Sequence, residues 1–206
     1  MRHKIPCFCD NTFTVDAPEE IDLDAEPRYV EDIIAGNFMN FVCTSCGKKH
    51  KPEFPITVKW NSKGAVLEVL PELDRGLFYR RKEEKKSAFT GALIGYPELA
   101  ERIAVLRDGL KVEVVEAIKY YLLLKADEAY PDEEISVWYQ HRADSSLEFH
   151  IHGIKKEEVA VMRVPLTLYE KTLADFKKNP KSEPFSLLRV KNYVSIQNVL
   201  RPDELK

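Results

Sequence analysis

Four cysteines stand in two close pairs near the start of the chain, Cys7 and Cys9 as C-x-C, then Cys43 and Cys46 as C-x-x-C, and there are no others. Two thiolates on one tight turn can fill adjacent corners of a tetrahedron around Zn²⁺, with each sulfur about 2.3 Å from the ion. A turn that presents both sulfurs needs a residue tolerant of positive φ just after its second cysteine. Gly47 follows Cys46, and Asp10-Asn11 follows Cys9. The pattern therefore predicts a zinc ion held by Cys7, Cys9, Cys43 and Cys46. Four thiolates leave no position for water or substrate, so this zinc is expected to be structural rather than catalytic. Its binding free energy, about 10 to 16 kcal/mol in small zinc modules, would be the main drive for folding the N-terminal segment. Ordinary or redox-active thiols and an iron–sulfur centre are the alternatives. His50 is a lesser candidate as a substitute ligand, because it falls where a strand leaves the second turn.

A disulfide-stapled reading of the same cysteines needs an oxidising compartment. The N-terminus, Met1-Arg2-His3-Lys4-Ile5-Pro6-Cys7, is basic but has no hydrophobic stretch behind it,. No apolar run approaches the roughly 18 to 20 residues that cross a bilayer. A cytoplasmic protein without a membrane partner is expected. The 206 residues carry 31 basic and 34 acidic side chains, a net charge of −3, with 44% hydrophobic residues. That balance describes a globular chain able to bury a core without disulfides, as one large domain or two small ones.

The elements around the cysteines are compact. Phe13-Thr14-Val15 alternates like a strand returning from the first turn, and Phe38 to Val42 reads as another entering the second. Between them Pro27 opens a helix over Arg28 to Ala35, with Tyr29, Val30, Ile33 and Ile34 on one face and Gly36-Asn37 as the stop. Ile56 to Trp60 and Ala65 to Leu70, joined by Asn61-Ser62-Lys63-Gly64, form a hairpin signature. The expected module, about residues 1–74, is two zinc-bearing turns on a small antiparallel sheet with one helix inserted.

These residues resemble the CpXC-domain family. The likeness lies in the paired cysteine motifs, the acidic Ala17-Pro18-Glu19-Glu20-Ile21-Asp22-Leu23, the helix ending at Ala35-Gly36, and Phe38 to Phe41 leading into Cys43-Thr44-Ser45-Cys46-Gly47-Lys48. Pro52-Glu53-Phe54-Pro55, Leu70-Pro71-Glu72 and Asp108-Gly109-Leu110 extend it, over roughly residues 5 to 126. Neither turn begins Cys-Pro, and the first pair is one residue shorter than the family pattern. The resemblance implies a zinc-ribbon-like domain with a bound zinc and no assigned biochemical activity.

Beyond the module, residues 75–91 hold six basic side chains against two acidic ones. They read as an exposed, partly helical connecting segment. Pro97 to Arg107 and Val112 to Ala126 carry apolar stripes and are separated by Asp108-Gly109, which predicts a helical hairpin over about 96–128. From residue 129 a second, α+β unit follows. Its expected strands are Ile135 to His141, Leu147 to Ile154 and Val159 to Val164, followed by a helix over Leu166 to Lys178. Leu187 to Leu200 reads as helix ahead of strand.

Alternation places Glu148, His150 and His152 on one strand face, an arrangement that could hold a metal or position a base. No third ligand is spaced to join them, so a solvated polar face is the plainer reading. No phosphate loop, nucleophile elbow, dinucleotide fingerprint or H-E-x-x-H helix is present. Residues 10–32 contain nine acidic side chains against Arg28 alone, a local balance of −8, which disfavours nucleic acid at the cysteine module,. The sequence thus predicts an α+β protein acting as an interaction or scaffold module, with a protein partner or a second copy of itself. An enzyme with a site between the two units near His150 and His152 is the rival reading, and a nucleic-acid binder the third.

Overall fold

The computed structural model describes residues 1–82 and 88–200. Among them lie thirteen strands and six α-helices, a mixed α+β architecture. The chain divides into two compact units, Met1–Ala100 and Glu101–Lys206.

In the first unit, β1 (Arg2–Pro6) and β2 (Thr12–Asp16) form an antiparallel hairpin with Ile5 opposite Phe13. Phe13 and Val15 point inward while Thr12, Thr14 and Asp16 face solvent, the alternation expected of a half-buried strand,. β3 (Glu20–Asp22) follows, then α1 (Arg28–Ile34), which opens at Pro27 and buries Val30 and Ile33. The strand predicted over Phe38 to Val42 shortens to β4 (Phe41–Val42), because Met39 takes φ 55° and breaks the extended run. Phe38 is buried instead between the rings of Tyr29 and Tyr96. β4 pairs with β5 (Lys49–His50), Phe41 opposite His50.

β6 (Ile56–Trp60) and β7 (Ala65–Leu70) form the predicted hairpin, closed by Gly64 at φ 64°. The sheet around it is mixed rather than purely antiparallel. β3 runs parallel to β6, and β8 (Gly91–Ile94) runs parallel to β7, giving the order β8-β7-β6-β3. Every residue of β8 is buried, so it shows no period-two alternation to read from sequence,. The basic stretch begins as α2 (Arg75–Arg80), whose Phe78 is buried, and ends at Gly91 in β8. Lys85 and Lys86 of the expected connector lie outside the described residues.

α3 (Tyr96–Arg107) and α4 (Val112–Ala129) are the predicted helices, with Gly109 at φ 69° in the joint between them. In the second unit, β9 (Ser136–Arg142), β10 (Ser146–His152) and β11 (Ala160–Pro165) form an antiparallel sheet with β10 central. Val137, Tyr139, Leu147, Phe149 and Ile151 make its buried face, with Val114, Val115 and Ile118 buried on α4. α5 (Leu166–Lys178) matches its predicted span, and its Tyr169 hydroxyl accepts the Lys111 N–H at 2.9 Å. The helix expected over Leu187 to Leu200 is replaced by a hairpin, β12 (Arg189–Val190) and β13 (Tyr193–Val194), followed by the short α6 (Gln197–Leu200). Lys191 at φ 56° makes the turn, which a helix would not permit,.

A buried charge cluster orders the second unit. Lys119 on α4 donates to Glu101 at 2.6 Å and to Glu116 at 3.0 Å, and its ammonium lies 5.5 Å from the centre of the Trp138 ring. The remaining carboxylate oxygens accept backbone N–H groups, Glu101 from Tyr139 and Glu116 from Ile196. One ammonium between two carboxylates is tolerated only while all its hydrogen bonds persist. Replacing Lys119 by Met should therefore destabilise the chain by about 3 to 5 kcal/mol, read as a lowered urea midpoint. Burial, with Glu116 beside it, pushes Glu101 up to about 7. A carboxyl raised in the folded state contributes stability that is complete below about pH 4.5 and lost as pH rises through about 7. Urea titrations should show wild-type stability falling across that window relative to Glu101→Gln; parallel pH profiles would contradict the assignment.

Candidate metal centre

The two hairpins bring their tips together. Cys7 and Cys9 lie on the turn after β1, and Cys43 and Cys46 on the turn after β4. All four sulfurs fall within 4.8 Å of one another, near enough to hold one metal ion. Across the turns, Cys7 Sγ lies 3.5 Å from Cys46 Sγ and Cys9 Sγ lies 3.8 Å from Cys43 Sγ, and all four thiols are free.

The two turns share one hydrogen-bond scheme. In the first, Asp10 N–H donates to the Cys7 carbonyl at 3.1 Å and Cys7 N–H donates to the Asn11 carbonyl at 2.8 Å. In the second, Gly47 N–H donates to the Cys43 carbonyl at 3.0 Å and Cys43 N–H donates to the Lys48 carbonyl at 2.9 Å. The residue after the second cysteine is left-handed in both, Asp10 at φ 62° and Gly47 at φ 73°. The shorter first pair thus loses a residue between its cysteines and keeps both closing bonds. Asp tolerates this conformation better than most side chains, which is why the first turn works without glycine.

The first cysteine of each pair is buried, Cys7 at 7% and Cys43 at 1% exposure, and the second is exposed. Beneath them Ile5, Phe13 and Val15 form a small apolar cluster, with Phe41 and Phe54 packed against it. Backbone N–H groups of Cys46 and Ser45 stabilise the Cys43 thiolate and lower its pKa to about 6,. The Asn11 N–H, with the neighbouring thiols of Cys46 and Cys7, lowers Cys9. At Cys7 the Cys9 N–H pulls downward, but burial and the thiols of Cys46, Cys9 and Cys43 push it up to about 12. Thiols that differ in this way favour partial ionisation of the cluster, and a bound cation would favour complete ionisation.

The sequence places His50 on a strand leaving the second turn, which makes it the lesser ligand candidate. That strand is β5, and its pairing with β4 carries the imidazole alongside the cluster, with Nε2 at 3.1 Å from Cys7 Sγ. Local spacing holds no signal for this, since Cys7 and His50 belong to different hairpins.

Glu148, His150 and His152 do share a face of β10. Glu148 meets Arg163 on β11 at 3.2 Å, His150 at 3.5 Å and His141 at 3.9 Å. The Arg163 hydrogen bond holds its carboxyl below the usual range. Among the described residues this face forms no group of ligands close enough for a metal, whereas the four cysteines do. No helix among the described residues is long and apolar enough to cross a membrane.

The family model described as CpXC protein matches residues 5–119, which include both cysteine turns, and the chain belongs to that family. It is also similar to an uncharacterized protein of Treponema pallidum (strain Nichols), 28% identical over 215 residues, spanning 95% of this chain and 97% of that one. No solved structure matches.

A Cβ at Gly47 would meet nothing within 4 Å, so substitution there costs conformational energy alone. Gly47→Ala should lose about 1 to 2 kcal/mol of stability by chemical denaturation. Gly47→Asn should lose less, because Asn visits the left-handed region more readily.

Proposed function

We propose that Cys7, Cys9, Cys43 and Cys46 hold a single structural zinc, which closes a zinc-ribbon-like module in a cytoplasmic interaction or scaffold protein. The observation that carries this reading is the convergence of four thiols from two hairpin turns. Four sulfurs about 2.3 Å from one tetrahedral ion lie about 3.8 Å apart, close to the 3.5 and 3.8 Å of the cross-turn pairs,. An all-thiolate donor set favours zinc or an iron–sulfur centre over hard cations. When bound, the ion would supply charge neutralisation and cross-linking of the two turns. With four protein ligands no open position remains for a substrate, which argues for a structural role. Binding to another protein or to a second copy of the chain is the working role assigned to the module; among the described residues, the metal-ligating side chains that converge are the four cysteines.

Elemental analysis of chain purified without chelator tests the proposal. One zinc per chain is expected, lost in a Cys43→Ser, Cys46→Ser variant together with cooperative unfolding of the N-terminal region. Protein free of metal, with four titratable thiols and an unchanged unfolding transition, would turn attention to thiol redox chemistry. Iron with sulfide in place of zinc would replace the metal assignment.

A further inference from the structure

We propose that His50 is a positioning residue of this centre, donating a hydrogen bond from Nε2–H to the Cys7 thiolate while remaining outside the ligand set. The inference rests on the four-thiolate reading above. It starts from the 3.1 Å separation of Nε2 and Cys7 Sγ. A nitrogen about 2.0 to 2.1 Å and a sulfur about 2.3 Å from one tetrahedral ion are about 3.6 Å apart. The observed contact is shorter, which fits a direct N–H···S bond and not shared ligation. A thiolate only accepts, so the ring nitrogen facing it must donate. Both the neutral Nε2–H tautomer and the imidazolium can do so.

The imidazole is held where it is. β5 pairing sets His50 opposite Phe41, the Phe13 ring meets it edge-on at 5.5 Å between centroids, and the Phe8 ring stacks at 5.9 Å. Phe8 is itself 88% exposed, at the tip of the first turn between the two cysteines. This arrangement answers a need created by burial. Cys9 and Cys46 are exposed to solvent, but Cys7 and Cys43 are buried and must find donors in the protein,. Each buried sulfur has a side-chain partner: His50 at Cys7, and the Asn11 amide, whose Nδ2 lies 3.8 Å from the sulfur, at Cys43. Such outer partners orient a ligand and withdraw electron density from it, and their loss commonly weakens metal binding ten- to a hundredfold.

Cobalt(II) titration of the full chain and of His50→Ala and His50→Gln tests this. All three should give the absorption bands of an all-thiolate tetrahedral ion. His50→Ala should bind Co(II) ten- to a hundredfold more weakly, with a shifted thiolate charge-transfer band, and His50→Gln, which keeps an N–H donor, should recover part of the affinity. Wild-type bands showing a nitrogen ligand that His50→Ala removes would overturn the proposal, as would unchanged affinity in that variant. A wild-type chain that takes up no Co(II) would overturn the metal reading and this one with it. Should His50→Ala fail to fold, nitrogen NMR of the cadmium-loaded wild type still decides the matter. A proton on Nε2 that exchanges slowly supports the hydrogen bond, and an unprotonated Nε2 refutes it.

Discussion

Four thiols cannot be crowded within a few ångströms and ionised together without a compensating charge, and the first unit is built around that constraint. The apolar cluster under the turns is small, formed by Ile5, Phe13 and Val15 with Phe41 and Phe54 alongside. Such a cluster supplies limited hydrophobic stabilisation to two short hairpins, one with strands of only two residues,. A cation at the sulfurs would turn their mutual repulsion into a cross-link between β1–β2 and β4–β5. The same backbone N–H groups that shape each turn also begin the ionisation, at Cys43 through Cys46 and Ser45 and at Cys9 through Asn11. Turn geometry and ligand chemistry are therefore one feature.

The second unit meets the opposite electrostatic problem. There the cation belongs to the protein, as Lys119, and two acidic side chains converge on it beneath an antiparallel sheet. Each carboxylate is also tied to a backbone N–H, at Tyr139 and Ile196, so the cluster fixes β9 and the segment before α6 relative to α4. Burying polar groups in this way offers little net stability over an apolar core, but it penalises arrangements that would leave one of them without a partner.

How much of this was legible follows from the range of the interactions involved. The cysteine turns, the β6–β7 hairpin, α3, α4 and α5 all announce themselves through neighbouring residues: a positive-φ residue, alternation, or a helical stripe. β3 and β8 do not, because one has three residues and the other is buried throughout; both pair in parallel with strands distant in sequence. The β12–β13 turn hid behind the four-residue spacing of Val190 and Val194, which imitates a helix although the two residues lie on opposite strands. The approach of His50 to Cys7 is hidden from the sequence for a related reason. Its strand was visible, but the cross-hairpin approach to Cys7 is a tertiary fact. The alternation of Glu148, His150 and His152 is legible as one face of a strand, whereas the approach of Arg163 from the neighbouring β11 is not.

The uneven burial of the cysteines gives the cluster a front and a back. Cys7 and Cys43 are rooted in the apolar side, while Cys9 and Cys46 form an edge open to solvent. An ion in such a cradle would exchange through that edge, with the exposed sulfurs released first and the buried pair last. Chelators, oxidants and alkylating reagents would meet the same order of attack. Exchange would then be a stepwise peeling from one side, its speed set by the two turns' outer corners and its endpoint by the two sulfurs held inside.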